Sequence, residues 1–168
     1  MEGAAVRAPA PAQNGSEEAA EMEREDWMRQ ALALAREAMD EGEVPVGCVI
    51  VRDGAVVGRG RNRREGARTA LGHAEIEAIA QACRTLGGWR LRDCALYVTL
   101  EPCPMCAGAI VNARIPVVCY GAKDDKAGCC GSVLNLFEER FNHRPRVYGH
   151  ILEEECAALL RHFFEQLR

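Results

Sequence analysis

The sequence predicts an α/β domain, a mixed sheet covered by helices on both faces. Three observations predict it. Apolar residues recur at helical spacing in the stretches 26–42 and 153–168. Asp53-Gly54 sits between two apolar runs, a strong hairpin signal. Two further apolar runs, 94–100 and 116–122, are separated by a helix-length segment, as in parallel neighbours joined by a crossover. A chain of 168 residues is long enough for one domain with a real core.

The stretch up to residue 23 is rich in Ala, Pro and Glu and has no apolar period. It reads as a disordered tail, with the domain occupying 24–168. Met22, at its end, is a candidate alternative start. In 26–42, Trp27, Met28, Ala31, Leu32, Leu34, Ala35, Ala38 and Met39 line one helical face; Asp26 can cap it and Gly42 can end it. "VGCVIVRDGAVVGRG" is the hairpin, and 62–72 a polar loop. A helix over 73–86 stops at Gly87-Gly88, and "CALYVTL" (94–100) is a buried strand. The next helix opens at Cys103 and Cys106 and runs to about 113, followed by strand 116–122. Residues 123–143 form a Gly-rich connection with one short apolar segment. "RVYGHI" is a last strand, and "EEECAALLRHFFEQLR" an amphipathic final helix in which only one of Phe163 and Phe164 can face the core fully.

Composition excludes some functions. No apolar run approaches the roughly 18 residues of a membrane span, and no signal-peptide core opens the chain, so the expected location is cytoplasmic. Nine cysteines in a reducing compartment serve as metal ligands or small core residues rather than disulfides. The net charge of −4 misleads, because residues 1–26 hold seven acids and two bases. Acidity is therefore no argument against an anionic partner for the remainder. The densest basic stretch is Arg59, Arg61, Arg63, Arg64 and Arg68, read as an RNA-contacting loop rather than a solvated one.

Cys103 and Cys106 are spaced i, i+3, so at a helix start both sulfurs project from one side of its first turn. Pro104 suits that start, since its missing N–H has no partner there anyway. The positive end of the helix dipole favours thiolates, and two thiolates on one face need a cation. His73, also at a helix start, is the best third ligand. One imidazole and two sulfurs leave a fourth zinc position open to water, the arrangement of catalytic rather than structural sites. Glu75 is then placed to move protons beside that water. His-x-Glu followed by Pro-Cys-x-x-Cys is the signature of zinc nucleobase deaminases. Alone, the cysteine pair also fits a redox pair or half a structural zinc site. Cys129 and Cys130 read as structural or incidental, and Cys48, Cys94 and Cys119 as core.

"VPVGCVIV", "GRN", "HAEIEAI", "LYVTLEPCPMCAGAI", "YGAKDDKAGCCGSVLNL", "FNHRP" and "ILEEECAALLRHFF" together resemble the bacterial tRNA-specific adenosine deaminases, from about residue 24 onward. That resemblance implies a cytidine-deaminase-like, three-layer α/β/α fold with a mixed five-stranded sheet. It implies conversion of adenosine to inosine at the wobble position of a tRNA anticodon by a homodimer with one Zn2+ per subunit. His73, Cys103 and Cys106 would hold the zinc and Glu75 would shuttle protons. Asn62 would hydrogen-bond the flipped base, with Val46 and Ala74 packed against it. Asp124 would touch the sugar-phosphate beside the target, and His143 and Phe164 would shape the pocket for flanking nucleotides.

Two departures stand out. Many relatives carry a Lys/Arg run after "FF", where this chain reads "EQLR", and the N-terminal stretch is acidic. Basic contacts must then come from Arg61, Arg63, Arg64 and Arg68, or from the partner subunit. Two other functions fit the motifs: deamination of a free base or nucleoside, and a non-catalytic zinc-stabilised RNA-binding subunit. The arginine stretch argues against the first and Glu75 against the second.

Overall fold

The computed structural model describes residues 14–168. Its elements are α1 (Asn14–Asp40), β1 (Gly47–Arg52), β2 (Ala55–Arg61), α2 (Ala74–Leu86), β3 (Ala95–Leu100), α3 (Pro104–Ala113), β4 (Val117–Ala122), a 3-10 turn (Leu136–Glu138), β5 (Arg146–Tyr148) and α4 (Glu153–Gln166). The five strands form one sheet in the order β2-β1-β3-β4-β5. β1 runs antiparallel to β2 and β3, whereas β3, β4 and β5 are mutually parallel. The predicted mixed sheet and its parallel central pair are both present.

The β1–β2 turn has the expected chemistry. Asp53 and Gly54 take φ of 49° and 74°, the left-handed pair that a two-residue hairpin turn requires. Alternation along the strands sends side chains to two separate cores. Cys48, Ile50, Leu96, Val98 and Val118 meet Ala78, Ala82, Ala107 and Ile110 of α2 and α3. Val49, Tyr97 and Cys119 meet Met28, Leu32 and Cys156 of α1 and α4. The architecture is thus three-layered, α/β/α.

One boundary differs from expectation. α1 begins at Asn14 rather than near Asp26, so residues 14–23 are helical and not a disordered tail; residues 1–13 lie outside the described residues. The segment has few apolar residues, but Glu, Ala and Met are strong helix formers, and Glu17 suits the first turn. Asp26 caps nothing and instead pairs with Arg29 at 3.0 Å. Arg24 stacks on the Tyr148 ring of β5, 4.4 Å from its centroid, which ties the added turns to the sheet.

The sheet brings the chemistry to one end. α2 packs so closely on β2 that a side-chain carbon at Gly60 would overlap the Ala74 carbonyl. α3 starts just past the C-terminal end of β3, the usual place for a site in parallel α/β sheets. The N-termini of α2 and α3 therefore meet.

Candidate active site

His73 occupies the N-cap of α2 and Cys103 the N-cap of α3, both with extended backbone. Pro104 opens α3 as expected, and Cys106 follows within its first turn. His73 Nδ1 lies 3.5 Å from Cys103 Sγ and 3.4 Å from Cys106 Sγ, and all three ligand atoms fall within 4.8 Å of one another. Tetrahedral zinc, with Zn–S near 2.3 Å and Zn–N near 2.0 Å, requires N···S separations of about 3.5 Å. The side chains are thus already spaced for it. Among the described residues no fourth His, Cys, Asp or Glu joins this group.

Electrostatics point the same way. The Cys103 thiol is held down at about 4, first by the hydrogen bond from Cys106 and then, against the cost of burial, by His73. Cys106, fully buried, is pushed strongly up by that same hydrogen bond and by burial. Two sulfurs therefore share one negative charge, and the second thiolate needs a cation to form. His73 is raised by its hydrogen bond to Cys103, with burial opposing.

Glu75 is 4% exposed and its carboxyl is raised to about 7, chiefly by burial, with the neighbouring Cys106 and His73 opposing. A carboxyl poised there both accepts and returns protons near neutral pH.

Asn62 follows the end of β2, buried against the 44–46 segment. Its backbone N–H donates to the Val46 carbonyl at 3.0 Å, its Nδ2 to the Val44 carbonyl at 3.3 Å, and its Oδ1 accepts from Arg64 N at 3.2 Å. Val46 and Ala74 share the core cluster beneath the α2 N-terminus. Phe163 is 8% exposed and Phe164 48%, so only the first packs fully. Phe164 lines a groove of about 270 Å³ together with Asn62 and Arg64.

A family model described as MafB19-like deaminase matches residues 22–168. The tRNA-specific adenosine deaminase of Bacillus subtilis (strain 168) is 49% identical over 143 residues, covering 84% of this chain and 89% of that protein. The chain belongs to the tRNA-specific adenosine deaminase family. A solved structure from a study of A-to-I editing by tRNA:A34 deaminases at the wobble position of transfer RNA is 45% identical, with a TM-score of 0.78 over 80% of this chain and 99% of that one. A guanine deaminase structure from Bacillus subtilis is 37% identical, with a TM-score of 0.58 over 74% of this chain and 82% of that one.

Within this family member, several residues behave differently from expectation. Arg61 is held by Glu41 at 2.7 Å and Glu37 at 3.4 Å, and Arg63 by Glu77 at 3.5 Å. These two arginines are already ion-paired within the fold. Arg64 and Arg68 form no ion pair among the described residues, and the Arg64 charge is felt at His73. Nor does the fold bring His143 to this pocket. Its Nε2 donates to the Ile115 carbonyl at 2.6 Å, just before the start of β4. The metal ligands lie past the other end of the parallel strands, roughly 16 Å away at 3.3 Å per residue. Asp124 does lie near the α3 start. Its Oδ1 accepts from Lys126 N and Ala127 N, and its own N–H donates to Glu101 at 3.2 Å.

Glu101 escaped the sequence reading. This buried acid, two residues before Cys103, accepts from Asp124 N, Cys130 N, Ser132 N and Ser132 Oγ. Burial raises its carboxyl, and the four donors more than offset that, holding it below the ordinary value. It moors the 124–132 loop to the metal-binding turn. The one signal in sequence was an acid wedged between an apolar strand and Pro-Cys.

Proposed function

We infer that this chain is a zinc-dependent hydrolase that converts adenosine to inosine at the wobble position of a tRNA anticodon, with one zinc ion per subunit. The observation that carries the reading is the buried Glu75 carboxyl, two residues from His73, at a three-ligand centre spaced for tetrahedral zinc. The kinship with tRNA-specific adenosine deaminases supports the substrate.

His73 Nδ1 and the Cys103 and Cys106 sulfurs would hold the ion. When bound, zinc supplies Lewis acidity that brings water toward ionisation near neutral pH. Glu75 takes the proton that water gives up and delivers it to the purine ring nitrogen as oxygen adds at C6. It then carries the proton of the new C6 hydroxyl to the departing amine, so the C6–N bond breaks, ammonia leaves and the C6 carbonyl of inosine remains. Asn62, Val46 and Ala74 would hold the base, while Asp124, Arg64 and Phe164 would receive neighbouring nucleotides. The target is single-stranded in an anticodon loop, so splaying it out costs less than from a duplex.

A homodimer completes the proposal. Exposed Leu71, Val133 and Leu134, on loops flanking the centre, favour a second copy as their cover. His143, remote from its own subunit's pocket, could act only at the partner's. A cytoplasmic location agrees with thiolate ligands and with every cysteine being free.

The guanine deaminase likeness keeps one rival, deamination of a free purine. Purified protein is incubated with tRNA, guanine and adenosine separately. Anticodon sequencing is expected to read A-to-G at the wobble position. Ammonia released from guanine, with no change in tRNA, selects the rival.

A further inference from the structure

We propose that Glu43 is a positioning residue that holds the 62–68 loop in its substrate-receiving shape, an inference that rests on the tRNA reading above. Glu43 lies in the bend after α1, where its N–H donates to the Ala38 carbonyl at 2.9 Å. It is 4% exposed and forms no ion pair among the described residues. Its carboxylate instead accepts from two consecutive backbone groups of the loop, Glu65 N at 3.2 Å through Oε2 and Gly66 N at 2.6 Å through Oε1. Hydrogen bonds to a buried carboxylate are among the stronger kind, and a buried charge is kept only where such partners hold it.

The placement of those two donors matters. The loop leaves β2 at Asn62, turns through Arg64 and Arg68, and returns to His73. Arg63 N closes its base on the Gly72 carbonyl at 2.8 Å. Hollows of about 260 and 270 Å³ lie against Glu43 on either side of the loop. Apolar packing beneath the tip is thus thin, and the Glu43 carboxylate is its polar tether. The tether grips the loop directly after Arg64, which would face the phosphates, and three residues past Asn62, which would face the base. Releasing it leaves the metal ligands and Glu75 in place but loosens the residues that meet the RNA. The cost therefore falls on substrate binding rather than on the chemical step.

Glu43→Gln tests this, because the amide keeps the shape but sets an NH2 group against a backbone donor. The expected result is a KM for an anticodon stem-loop raised about tenfold, with kcat within threefold and one zinc per chain retained. Limited trypsin digestion is expected to cut after Arg64 and Arg68 much faster than in the wild type. Glu43→Asp keeps the charge on a shorter arm that spans one donor, and its KM is expected to fall between the two. An unchanged KM in both variants, with the loop as resistant as before, overturns the proposal. So does joint loss of kcat and zinc at unchanged KM, which assigns Glu43 to the fold alone. If the wild type fails to deaminate the stem-loop, the functional reading falls, and the digestion comparison still judges the tether.

Discussion

Ser132 Oγ donates to Glu101 Oε1 at 2.5 Å, fastening the loop that carries Asp124 to the residue two places before Cys103. Glu101→Gln replaces an acceptor-only carboxylate by an amide and leaves a buried donor facing a donor. We expect a loss on the order of 1–3 kcal/mol, read as a lower urea midpoint. Ser132→Ala removes one of four bonds and should cost less. The carboxyl sits below its ordinary value of 4.5 in the fold. Its contribution is therefore complete above pH 4.5 and disappears as pH falls through the depressed value. The stability gap between wild type and Glu101→Gln should be constant at neutral pH and close in acid. A gap that persists in acid refutes the assignment.

Glu75→Gln should keep zinc and the fold while turnover falls by roughly 100-fold to 10,000-fold, measured by inosine formation alongside metal content. Wild-type kcat/KM should fall on the acid side, where the base takes up its proton. Stability has the opposite sign. A carboxyl raised in the fold stabilises fully below its unfolded value and less as pH climbs through 4.5 to about 7. Metal-free Glu75→Gln should therefore be more stable than metal-free wild type above pH 7, by on the order of 3 kcal/mol. Equal urea midpoints there speak against burial as the cause.

What could be read from sequence divides along physical lines. Asp53-Gly54 was legible because few residue pairs accept left-handed backbone twice in succession, and both do so here. His73, Cys103 and Cys106 were legible because ligand chemistry restricts residue type and helix geometry restricts spacing. The start of α1 was not, since the lack of apolar residues suggested disorder where local helix propensity prevailed. Arg61 and Arg63 looked like free cations because their partners Glu37, Glu41 and Glu77 come from other elements, joined only by folding. Glu43 and Glu101 were not legible, because an acceptor of backbone N–H groups leaves no mark on its own sequence neighbourhood.

The pairing of these arginines yields a contrast. Arg64→Ala should raise the Kd for an anticodon stem-loop and lower the slope of log K against log salt by about one. Arg61→Ala should leave that slope unchanged, because its charge is already spent on Glu41 and Glu37. Binding titrations at several salt concentrations separate the two. Equal slopes for both variants remove Arg64 from the RNA path.

Zinc uptake offers a direct count of the charge shared by the two sulfurs. With the Cys103 thiol held at about 4, it is already a thiolate at neutral pH. The Cys106 thiol, pushed up by its neighbour and by burial, is still protonated. Loading one zinc ion should therefore release one proton from Cys106, plus a fraction from His73, whose own value is raised. That fraction shrinks as pH rises, so release in a weakly buffered titration should approach one proton per chain by pH 8, once the proton that a bound water yields, read from the pH dependence of turnover, is subtracted. Two independent thiols near their ordinary value of 9 would instead release close to two at that pH. A count near two means that the sulfurs titrate separately, and the shared charge is then absent. Stripping the ion with a chelator should reverse the count and lower the melting temperature, because only the folded chain gathers all three ligands.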